Sequence, residues 1–362
     1  MISIDGGYLE GGGQIVRTAL ALSSLTQQPF EAENIRKGRP NPGLKAQHLS
    51  CIRAFEELAG AKSQYATLAS DKLQFFPAPV KGRTMSIDIG TAGSVTLLLQ
   101  SLLMPAIFAD SKVRLKITGG TDVPWSPPAD YFANVLLPHL SNFCEKIEFK
   151  LLRRGYYPKG GGKAELIVKP KYRLSDFGSF NEFRAYLNEA APKISLSSQN
   201  ALAYVKGVSH ASADLQKFEV AERQARSAKS LLELPNVSIR SEYSESFSPG
   251  SGIVLWAVFS DNDEVSAENP VILGADALGE KGKRAEKVGA EAANRLLKQI
   301  GSKAPVDSYL ADQLLPFMAL TGKGSIAASE ITDHARTNIY LIEKFLGKCF
   351  RFDEARRIIS LS

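Results

Sequence analysis

The stretch Asp5-Gly6-Gly7-Tyr8-Leu9-Glu10-Gly11-Gly12-Gly13-Gln14-Ile15-Val16-Arg17 has the pattern of a turn that joins a short apolar strand to a helix. Residues 1–4 are predicted to form the strand, and a helix is predicted from about Gln14 to Thr26. The glycines between them permit positive φ angles and a close approach of the backbone to a ligand. This strand-to-helix corner is therefore predicted to carry a functional site.

Three polar residues of the stretch, Glu10, Gln14 and Arg17, are spaced i, i+4, i+7. On a helix that begins near Gly11, this spacing would place them on one polar stripe. A helix N-terminus attracts phosphate, a guanidinium can bind it with two hydrogen bonds, and a carboxylate is a ligand that Mg²⁺ prefers. Plainer alternatives are a helix cap for Glu10 and a surface ion pair for Arg17. The chain has neither a Walker A motif nor a strand–Gly-x-Gly-x-x-Gly–helix signature, which argues against P-loop and Rossmann sites.

Composition indicates a folded protein with a mild preference for polyanions. The 362 residues include 44 basic and 38 acidic side chains, for a net charge of +6 and a pI near 9.0. Three scattered cysteines without a C-x-x-C pattern are interpreted as reduced thiols. No secretion signal is expected, because the first residues have the pattern of a strand, and the longest apolar run, residues 95–109, is too short to span a bilayer. A cytoplasmic protein with no membrane association is therefore expected.

A repeat organises the chain. The order strand, helix, strand, helix, strand, strand is predicted for residues 1–79, and it recurs afterwards, with Ser3-Ile4-Asp5 echoed by Ser86-Ile87-Asp88. Regular periodicity is lost around 172–198, and a separate pattern of strands and helices follows. We therefore predict an α/β (α+β) fold of three repeated βαβαββ units with a smaller inserted α/β domain. The expected boundaries are 1–180 and 305–362 for the large domain and 181–304 for the inserted one.

A basic loop at residues 35–48 is a second candidate site. It carries Arg36, Lys37, Arg39 and Lys45 among two prolines and two glycines, and it leads into a predicted helix. This combination is typical of a cradle for polyphosphate or a nucleic-acid backbone, although an ordinary basic surface loop is the alternative. His48 is expected to lie on the apolar face of the following helix and to be buried.

Among the four histidines, His334 is the best candidate for a chemical role. It is predicted to lie between a strand at 325–330 and a helix beginning at Thr337 or Asn338, whereas His139 and His210 have the pattern of structural residues. No Cys or acidic partner stands at zinc-ligand spacing, so a nucleophile or an acid–base role is favoured. Tyr309, Asp312 and Gln313 share one helical turn that could contact a base or ribose, or could simply be a polar helix face.

Taken together, the chain resembles the RNA 3′-terminal phosphate cyclase family nearly from end to end. The resemblance is carried by five motifs in the family's order: Glu10-Gly-Gly-Gly-Gln14-Ile-Val-Arg17, Ile35-Arg36-x-Gly38-Arg39 with Gln47-His48, Gly119-Gly-Thr-Asp122 with Pro127-Pro128-Ala129-Asp130, Tyr309-Leu-x-Asp312-Gln313, and His334-x-x-Thr337-Asn338. It implies three units similar to the C-terminal domain of translation initiation factor 3. It also implies that ATP adenylates a histidine, that AMP passes to an RNA 3′-phosphate, and that the vicinal 2′-OH then closes a 2′,3′-cyclic phosphate.

The resemblance also implies roles for individual residues. His334 matches the histidine that is adenylated, and Glu10 matches a ligand of Mg²⁺ or Mn²⁺. Arg17, Arg36 and Arg39 are expected to be catalytic, and together with Gln47 they are expected to bind the RNA 3′-phosphate. The positions expected to bind ATP are Gln100, Pro127, Tyr309, Asp312, Gln313 and His334.

Two other classes share this kind of architecture. A noncatalytic branch of the family acts in ribosome biogenesis and lacks the catalytic histidine, and enolpyruvyl transferases are built from similar units. The presence of Glu10, Arg17 and His334 favours the enzyme. Tyr8-Leu9 departs from the small or polar residues common before the glutamate, which affects the expected rim of the site. The oligomeric state is left open.

Overall fold

Four sheets of four strands each build the part of the chain that the computed structural model describes, residues 1–234 and 236–361. The first sheet has the order β1-β2-β4-β3, with β1 parallel to β2 and the other neighbours antiparallel. Its elements are β1 (Ile2–Asp5), α1 (Gln14–Thr26), β2 (Phe30–Glu33), α2 (Ala46–Ala59), β3 (Lys62–Gln64) and β4 (Leu73–Phe76).

The second sheet repeats this topology in the order β5-β6-β8-β7. Its elements are β5 (Thr84–Asp88), α3 (Val95–Ile107), β6 (Val113–Gly119), α4 (Ala129–Tyr131), α5 (Leu137–Leu140), β7 (Cys144–Arg153) and β8 (Gly162–Pro170). The helical segment between β6 and β7 is not one continuous helix. Instead, a π-helical turn, Phe132–Leu136, separates α4 from α5, and a 3₁₀ turn follows α5.

The next segment has regular structure, although its sequence shows no regular periodicity over 172–198. Helix α6 (Phe180–Ala190) and strand β9 (Ile194–Leu196) form there. Helix α6 buries only Phe183 and Leu187, and β9 has three residues, so neither produces a strong periodic signal.

The fourth sheet lies between β9 and the rest of the third unit along the chain. It has the order β11-β10-β12-β13, and helices α7 and α8 pack on each other and on its strands. Its elements are β10 (Ala201–Ser212), α7 (Val220–Leu232), β11 (Val237–Ser244), β12 (Ser251–Ser260), β13 (Val271–Leu278) and α8 (Ala285–Gly301).

The third sheet has the order β9-β14-β16-β15, the same as the first two. Its remaining elements are α9 (Leu310–Thr321), β14 (Gly324–Ala327), α10 (Asp333–Leu346), β15 (Phe350–Asp353) and β16 (Ile358–Leu361). Strand β9 pairs in parallel with β14, with Ile194 opposite Gly324. Because β9 joins this sheet, we propose that the inserted domain begins near Ala201, within the predicted range 181–304, and separates the first strand of the third unit from its first helix.

Helix α1 connects the three units. Its residues Ile15, Val16, Ala19 and Leu20 are fully buried, and it packs against both α3 and α10. Burial of a leucine side chain of this kind stabilises the fold by about 1.5–3 kcal/mol. The N-terminal turn of α1 is thereby fixed beside the second and third units. No helix in the described residues is both long and apolar enough to cross a membrane.

Candidate active site

The glycine turn before α1 places Glu10 differently from the sequence prediction. Helix α1 begins at Gln14 with Gly13 as its cap, so Glu10 lies in the preceding turn and not on the helix. The turn closes with a hydrogen bond from the amide of Gly11 to the carbonyl of Tyr8 (2.9 Å), and Leu9 and Gly11 both have positive φ. This turn interrupts the expected stripe.

Glu10 instead meets the basic loop. Its Oε2 atom accepts a hydrogen bond from Nη2 of Arg39 at 2.8 Å. Both side chains are about two-fifths exposed. The pair therefore lies at the surface, where a ligand with phosphate groups has access to both charges.

His334 lies in the first turn of α10. This helix begins at Asp333, four residues earlier than Thr337, because the hydroxyl of Thr332 accepts a hydrogen bond from the amide of Ala335 at 3.1 Å and caps it. The imidazole is half exposed, and its Nε2 atom lies 3.9 Å from Oε2 of Glu10. A histidine from the third unit and a carboxylate from the first are thus neighbours.

The pKa of His334 lies below its usual value of 6.5. Partial burial is the largest cause, and Arg17 and Arg39 act in the same direction, whereas Glu10 and Asp333 raise the pKa. The imidazole is therefore mainly neutral near pH 7, which is the form that can act as a nucleophile.

The arginines form a cluster around α1. Burial lowers the pKa of Arg17 and of Arg36, and the nearby cations lower each further, although arginines remain charged. In the described residues the Nε atoms of Arg17, Arg36 and Arg39 are buried without a hydrogen-bond partner. Unpaired cationic donors next to one another are costly unless an anion binds them, so the cluster suits phosphate.

His48 is buried beside this cluster, as the sequence predicts. Its Nδ1 atom accepts a hydrogen bond from the amide of Lys45 at 2.9 Å. Burial, reinforced by Arg17, Arg36 and Lys45, lowers the pKa of His48 to about 3. It is a neutral structural residue. Gln47, on the same helix, donates to the carbonyl of Ser94 at 3.2 Å and so links the first and second units.

Polar contacts hold α1, α9 and α10 together. The Nε2 atom of Gln14 donates to Oδ2 of Asp312 at 2.8 Å and to the carbonyl of His334 at 3.3 Å. Asn338 donates to the carbonyl of Asp312 at 2.7 Å and accepts from Thr18 at 2.8 Å. Burial raises the pKa of Asp312 to about 7, although Arg17 opposes the shift. These contacts fix the backbone that carries His334.

A groove with a volume of about 1030 Å³ extends from His334 along α3 and α9. All six positions expected to bind ATP line it: Gln100, Pro127, Tyr309, Asp312, Gln313 and His334. Gln14 and Arg17 also line it, whereas Glu10, Arg36, Arg39 and Gln47 are not among its lining residues. Within the groove, Gln100 donates to Gln313 at 3.1 Å.

Asp307, which the sequence analysis missed, orients Tyr309. One oxygen of its buried carboxylate accepts hydrogen bonds from the amides of Tyr309 and Leu310, each at 2.9 Å, and from the hydroxyl of Tyr131 at 2.7 Å. The other accepts from the amide of Gly274 at 2.8 Å. The available signal was an acidic residue just before a helix, a common N-cap pattern.

A buried ionic network joins the second unit to the fourth sheet, and it too was missed. The guanidinium of Arg154 pairs with Asp122 (3.1 Å), Asp130 (2.7 Å) and Glu242. His210 lies 3.3 Å from Asp122. Burial alone would raise the pKa of Asp122, but His210 and Arg154 outweigh it and hold the pKa well below its usual range.

Asp122, Asp130 and His210 have the donor types of a metal site, and their ligand atoms lie within 4.8 Å of one another. Since Arg154 binds both carboxylates, the network already has its own cation and acts as a structural link.

The fold and the groove define an α/β protein whose cleft is lined by the imidazole of His334 and the guanidinium of Arg17, with Glu10 3.9 Å from the imidazole, an arrangement suited to a phosphorylated ligand. Comparison with known proteins is consistent with this class. The family model for RNA 3′-terminal phosphate cyclase matches residues 8–352. The chain is 48% identical over 356 residues to the RNA 3′-terminal phosphate cyclase of Pyrococcus abyssi, an alignment that covers 98% of this chain and 95% of that protein.

Two further relatives carry the same name. The protein of Pyrococcus furiosus is 46% identical over 352 residues, covering 97% of this chain and 94% of the relative. The protein of Archaeoglobus fulgidus is 43% identical over 362 residues, covering 99% of this chain and 100% of the relative. This chain therefore belongs to the RNA 3′-terminal phosphate cyclase family.

Proposed function

We propose that this protein uses ATP to convert an RNA 3′-terminal phosphate into a 2′,3′-cyclic phosphodiester, with His334 as the residue that is adenylated. The observation that carries the proposal is the position of the neutral, half-exposed imidazole of His334, 3.9 Å from Glu10 and at one end of a groove that can hold a nucleotide. Family membership supports the overall reaction.

In the first step, Nε2 of His334 attacks the α-phosphorus of ATP. A P–N bond forms, the bond from that phosphorus to the bridging oxygen breaks, and pyrophosphate leaves. Arg17 and Arg39, whose charges already act on His334, stabilise the negative charge that accumulates on the phosphoryl oxygens. Gln14 holds the His334 carbonyl and keeps the imidazole in position.

In the second step, an oxygen of the RNA 3′-phosphate attacks the same phosphorus and displaces the histidine. The RNA end then carries AMP, and the vicinal 2′-OH attacks the 3′-phosphorus. The new P–O bond closes the ring, AMP leaves, and the hydroxyl proton goes to solvent. We assign binding of the RNA 3′-phosphate to Arg17, Arg36, Arg39 and Gln47, because the Nε atoms of the three arginines have no hydrogen-bond partner in the described residues.

The adenosine is assigned to the wall of the groove built by Gln100, Pro127, Tyr309, Asp312 and Gln313. Tyr309 is 47% exposed, and its backbone is fixed by Asp307, so its ring is available for stacking on a base.

Glu10 is proposed to hold Mg²⁺ or Mn²⁺ together with substrate phosphates. The residues fit this role, since one carboxylate plus phosphate oxygens is a usual Mg²⁺ environment and Glu10 stands beside the proposed nucleophile. The ion would neutralise phosphate charge. The buried thiols of Cys51 and Cys144 fit a reducing compartment, and we propose the cytoplasm as the location.

The alternative is a noncatalytic factor with the same fold. The presence of His334 together with Glu10 and the arginine cluster favours the enzyme.

The test is incubation with [α-³²P]ATP and Mg²⁺ or Mn²⁺, followed by denaturing electrophoresis. We expect an acid-labile, alkali-stable label on the parent protein and none on His334→Ala. Arg336→Ala is the matched control, because this residue lies in the same helix but pairs with Glu354, and it should retain the label. A labelled His334→Ala, or an unlabelled parent with both metals, would contradict the proposal. Conversion of an oligoribonucleotide 3′-phosphate to a phosphatase-resistant end tests the second half.

A further inference from the structure

Trp125 is the most exposed large apolar side chain in the described residues. It is 97% exposed, whereas the second tryptophan of the chain, Trp256, is 7% exposed. Its backbone has a φ of +60°, a conformation that bulky residues rarely adopt and that marks sites held in place by their surroundings. Neither exposure nor this backbone benefits folding, so a role in binding is the natural explanation.

The backbone of the loop that carries Trp125 is held by hydrogen bonds. The hydroxyl of Ser126 donates to the carbonyl of Val123 at 3.0 Å, and the amide of Ala129 donates to the carbonyl of Thr121 at 3.0 Å. Thr96, in the first turn of α3, donates to the carbonyl of Pro127 at 2.6 Å. The backbone that carries the indole is therefore fixed before any ligand arrives, which reduces the entropy lost on binding.

Trp125 belongs to the same groove as His334 and Tyr309. It is also connected to the phosphate-binding side through the start of α3. Gln47 donates to the carbonyl of Ser94, and the hydroxyl of Ser94 lies 2.8 Å from that of Thr96, which holds Pro127. The indole thus stands in the groove that also holds Arg17, one of the residues assigned to the RNA 3′-phosphate.

We propose that Trp125 stacks on a base of the RNA strand near its 3′ end while the terminal phosphate lies among the arginines. This inference rests on the proposed function. Tyr309 already offers a half-exposed ring for adenine, and an almost completely open indole suits a polymer that continues out of the groove. Stacking of this kind tolerates any base, so Trp125 would contribute affinity for RNA without selecting a sequence.

Tryptophan fluorescence provides a direct test. In Trp256→Phe, Trp125 is the sole tryptophan, and we expect an oligoribonucleotide 3′-phosphate to quench its emission in a saturable manner. ATP with Mg²⁺ should leave the emission nearly unchanged. Trp125→Phe, which keeps only the buried Trp256, should show no quenching by RNA. If Trp256→Phe does not fold, the difference between the parent and Trp125→Phe gives the same information.

Kinetics supplies a second readout. Trp125→Ala should raise the KM for the oligoribonucleotide about tenfold, consistent with loss of one stacked base, and Trp125→Phe should recover part of it. The KM for ATP in self-adenylation without RNA should not change. Quenching by ATP alone would identify adenine as the occupant and overturn the proposal, as would RNA binding, seen by anisotropy of a labelled strand, without quenching. Failure of the proposed function is distinct, since it would remove self-adenylation from the parent protein.

Discussion

The Nε2 atom of His334 lies 3.9 Å from the Oε2 atom of Glu10, although the two residues stand near opposite ends of the chain. The same oxygen of Glu10 binds Arg39 at 2.8 Å. Glu10, the proposed metal ligand, thus lies between the proposed nucleophile His334 and Arg39 of the arginine cluster. A substitution at any of these three residues should change the electrostatic environment of the other two.

Glu10→Gln should lower the rate of self-adenylation about 10- to 100-fold, the usual effect of weakening a metal site. Higher Mn²⁺ concentrations should recover part of the rate. Stability should change by less than about 1 kcal/mol, because the ion pair with Arg39 is partly exposed. Glu33→Gln, which removes an exposed carboxylate paired with Lys72, is the control and should adenylate normally. A full rate in Glu10→Gln at low metal concentration would remove Glu10 from the site.

The pH dependence of adenylation should report the imidazole. Since the pKa of His334 is lowered from 6.5, the single-turnover rate should fall only when the pH drops below that value and the ring becomes protonated. Glu10 raises this pKa, so Glu10→Gln should move the midpoint to lower pH. Arg39 lowers it, so Arg39→Gln should move the midpoint upward. Single-turnover rates between pH 5 and 8 check both signs, and shifts in the reverse directions would contradict the electrostatic account.

Two adjacent glycines should differ sharply in their tolerance of alanine. A Cβ at Gly13 would lie 2.2 Å from Nε2 of His48, which is buried and held by Lys45, whereas the nearest neighbour of a Cβ at Gly12 is Arg39 at 3.7 Å. Gly13→Ala should therefore cost about 1–3 kcal/mol in the free energy of unfolding, and Gly12→Ala under about 0.5 kcal/mol. Urea denaturation measures both. Equal losses of stability would show that His48 can move to accommodate the added methyl group.

His139 should make the protein sensitive to acid. Burial lowers its pKa to about 3, and its Nε2 atom has no partner in the described residues. The unfolded chain takes up a proton near pH 6.5 and the folded one does not. The contribution of neutral His139 to the free energy of unfolding is therefore fully present above pH 6.5. It is lost as the pH falls toward 3, by up to about 1.4 kcal/mol per pH unit.

His139→Leu should unfold no more easily than the parent at pH 7, since it removes a buried unpaired nitrogen, and it should show a smaller decrease in stability at pH 5. Urea midpoints at the two pH values give the comparison. An unchanged slope would mean that His139 is not the titrating group.

Arg154→Met should destabilise the protein by about 3–5 kcal/mol, because it leaves Asp122 and Asp130 buried without their cation. Arg114→Met is the matched comparison. Arg114 also pairs with a carboxylate, that of Glu165 at 2.6 Å, but it is 41% exposed, so the loss should stay below about 1 kcal/mol. Thermal or urea unfolding separates the two, and similar losses would contradict the larger effect expected of the buried network.

Sequence patterns predicted the first two units because each has a strand, a glycine-rich turn and an amphipathic helix at similar spacing. They also identified the groove-lining side chains, since Tyr309, Asp312 and Gln313 stand on one helical turn and belong to a recognisable motif. Local patterns were less reliable at the ends of elements. Glu10 was placed on a helix that starts at Gln14, and α10 was begun at Thr337 because the cap by Thr332 was overlooked.

Local sequence patterns could not predict the ionic network around Arg154. Its members come from the second unit and from the inserted strands β10 and β11, and nothing in their spacing shows that they meet. Asp307 is similar, because it bonds to Gly274 and Tyr131 far away in sequence. Long-range ionic and polar contacts are set by the packing of whole elements, which a single sequence does not display.

The interruption of the third unit after β9 also has a kinetic consequence. Strand β9 cannot pair with β14 until more than a hundred further residues have left the ribosome, and contacts so distant in sequence form slowly. The first two sheets can close earlier, during synthesis of the N-terminal half. A nascent chain therefore carries Arg17, Arg36 and Arg39 in folded surroundings well before His334 exists, so the proposed nucleophile is the last part of the candidate site to be synthesised.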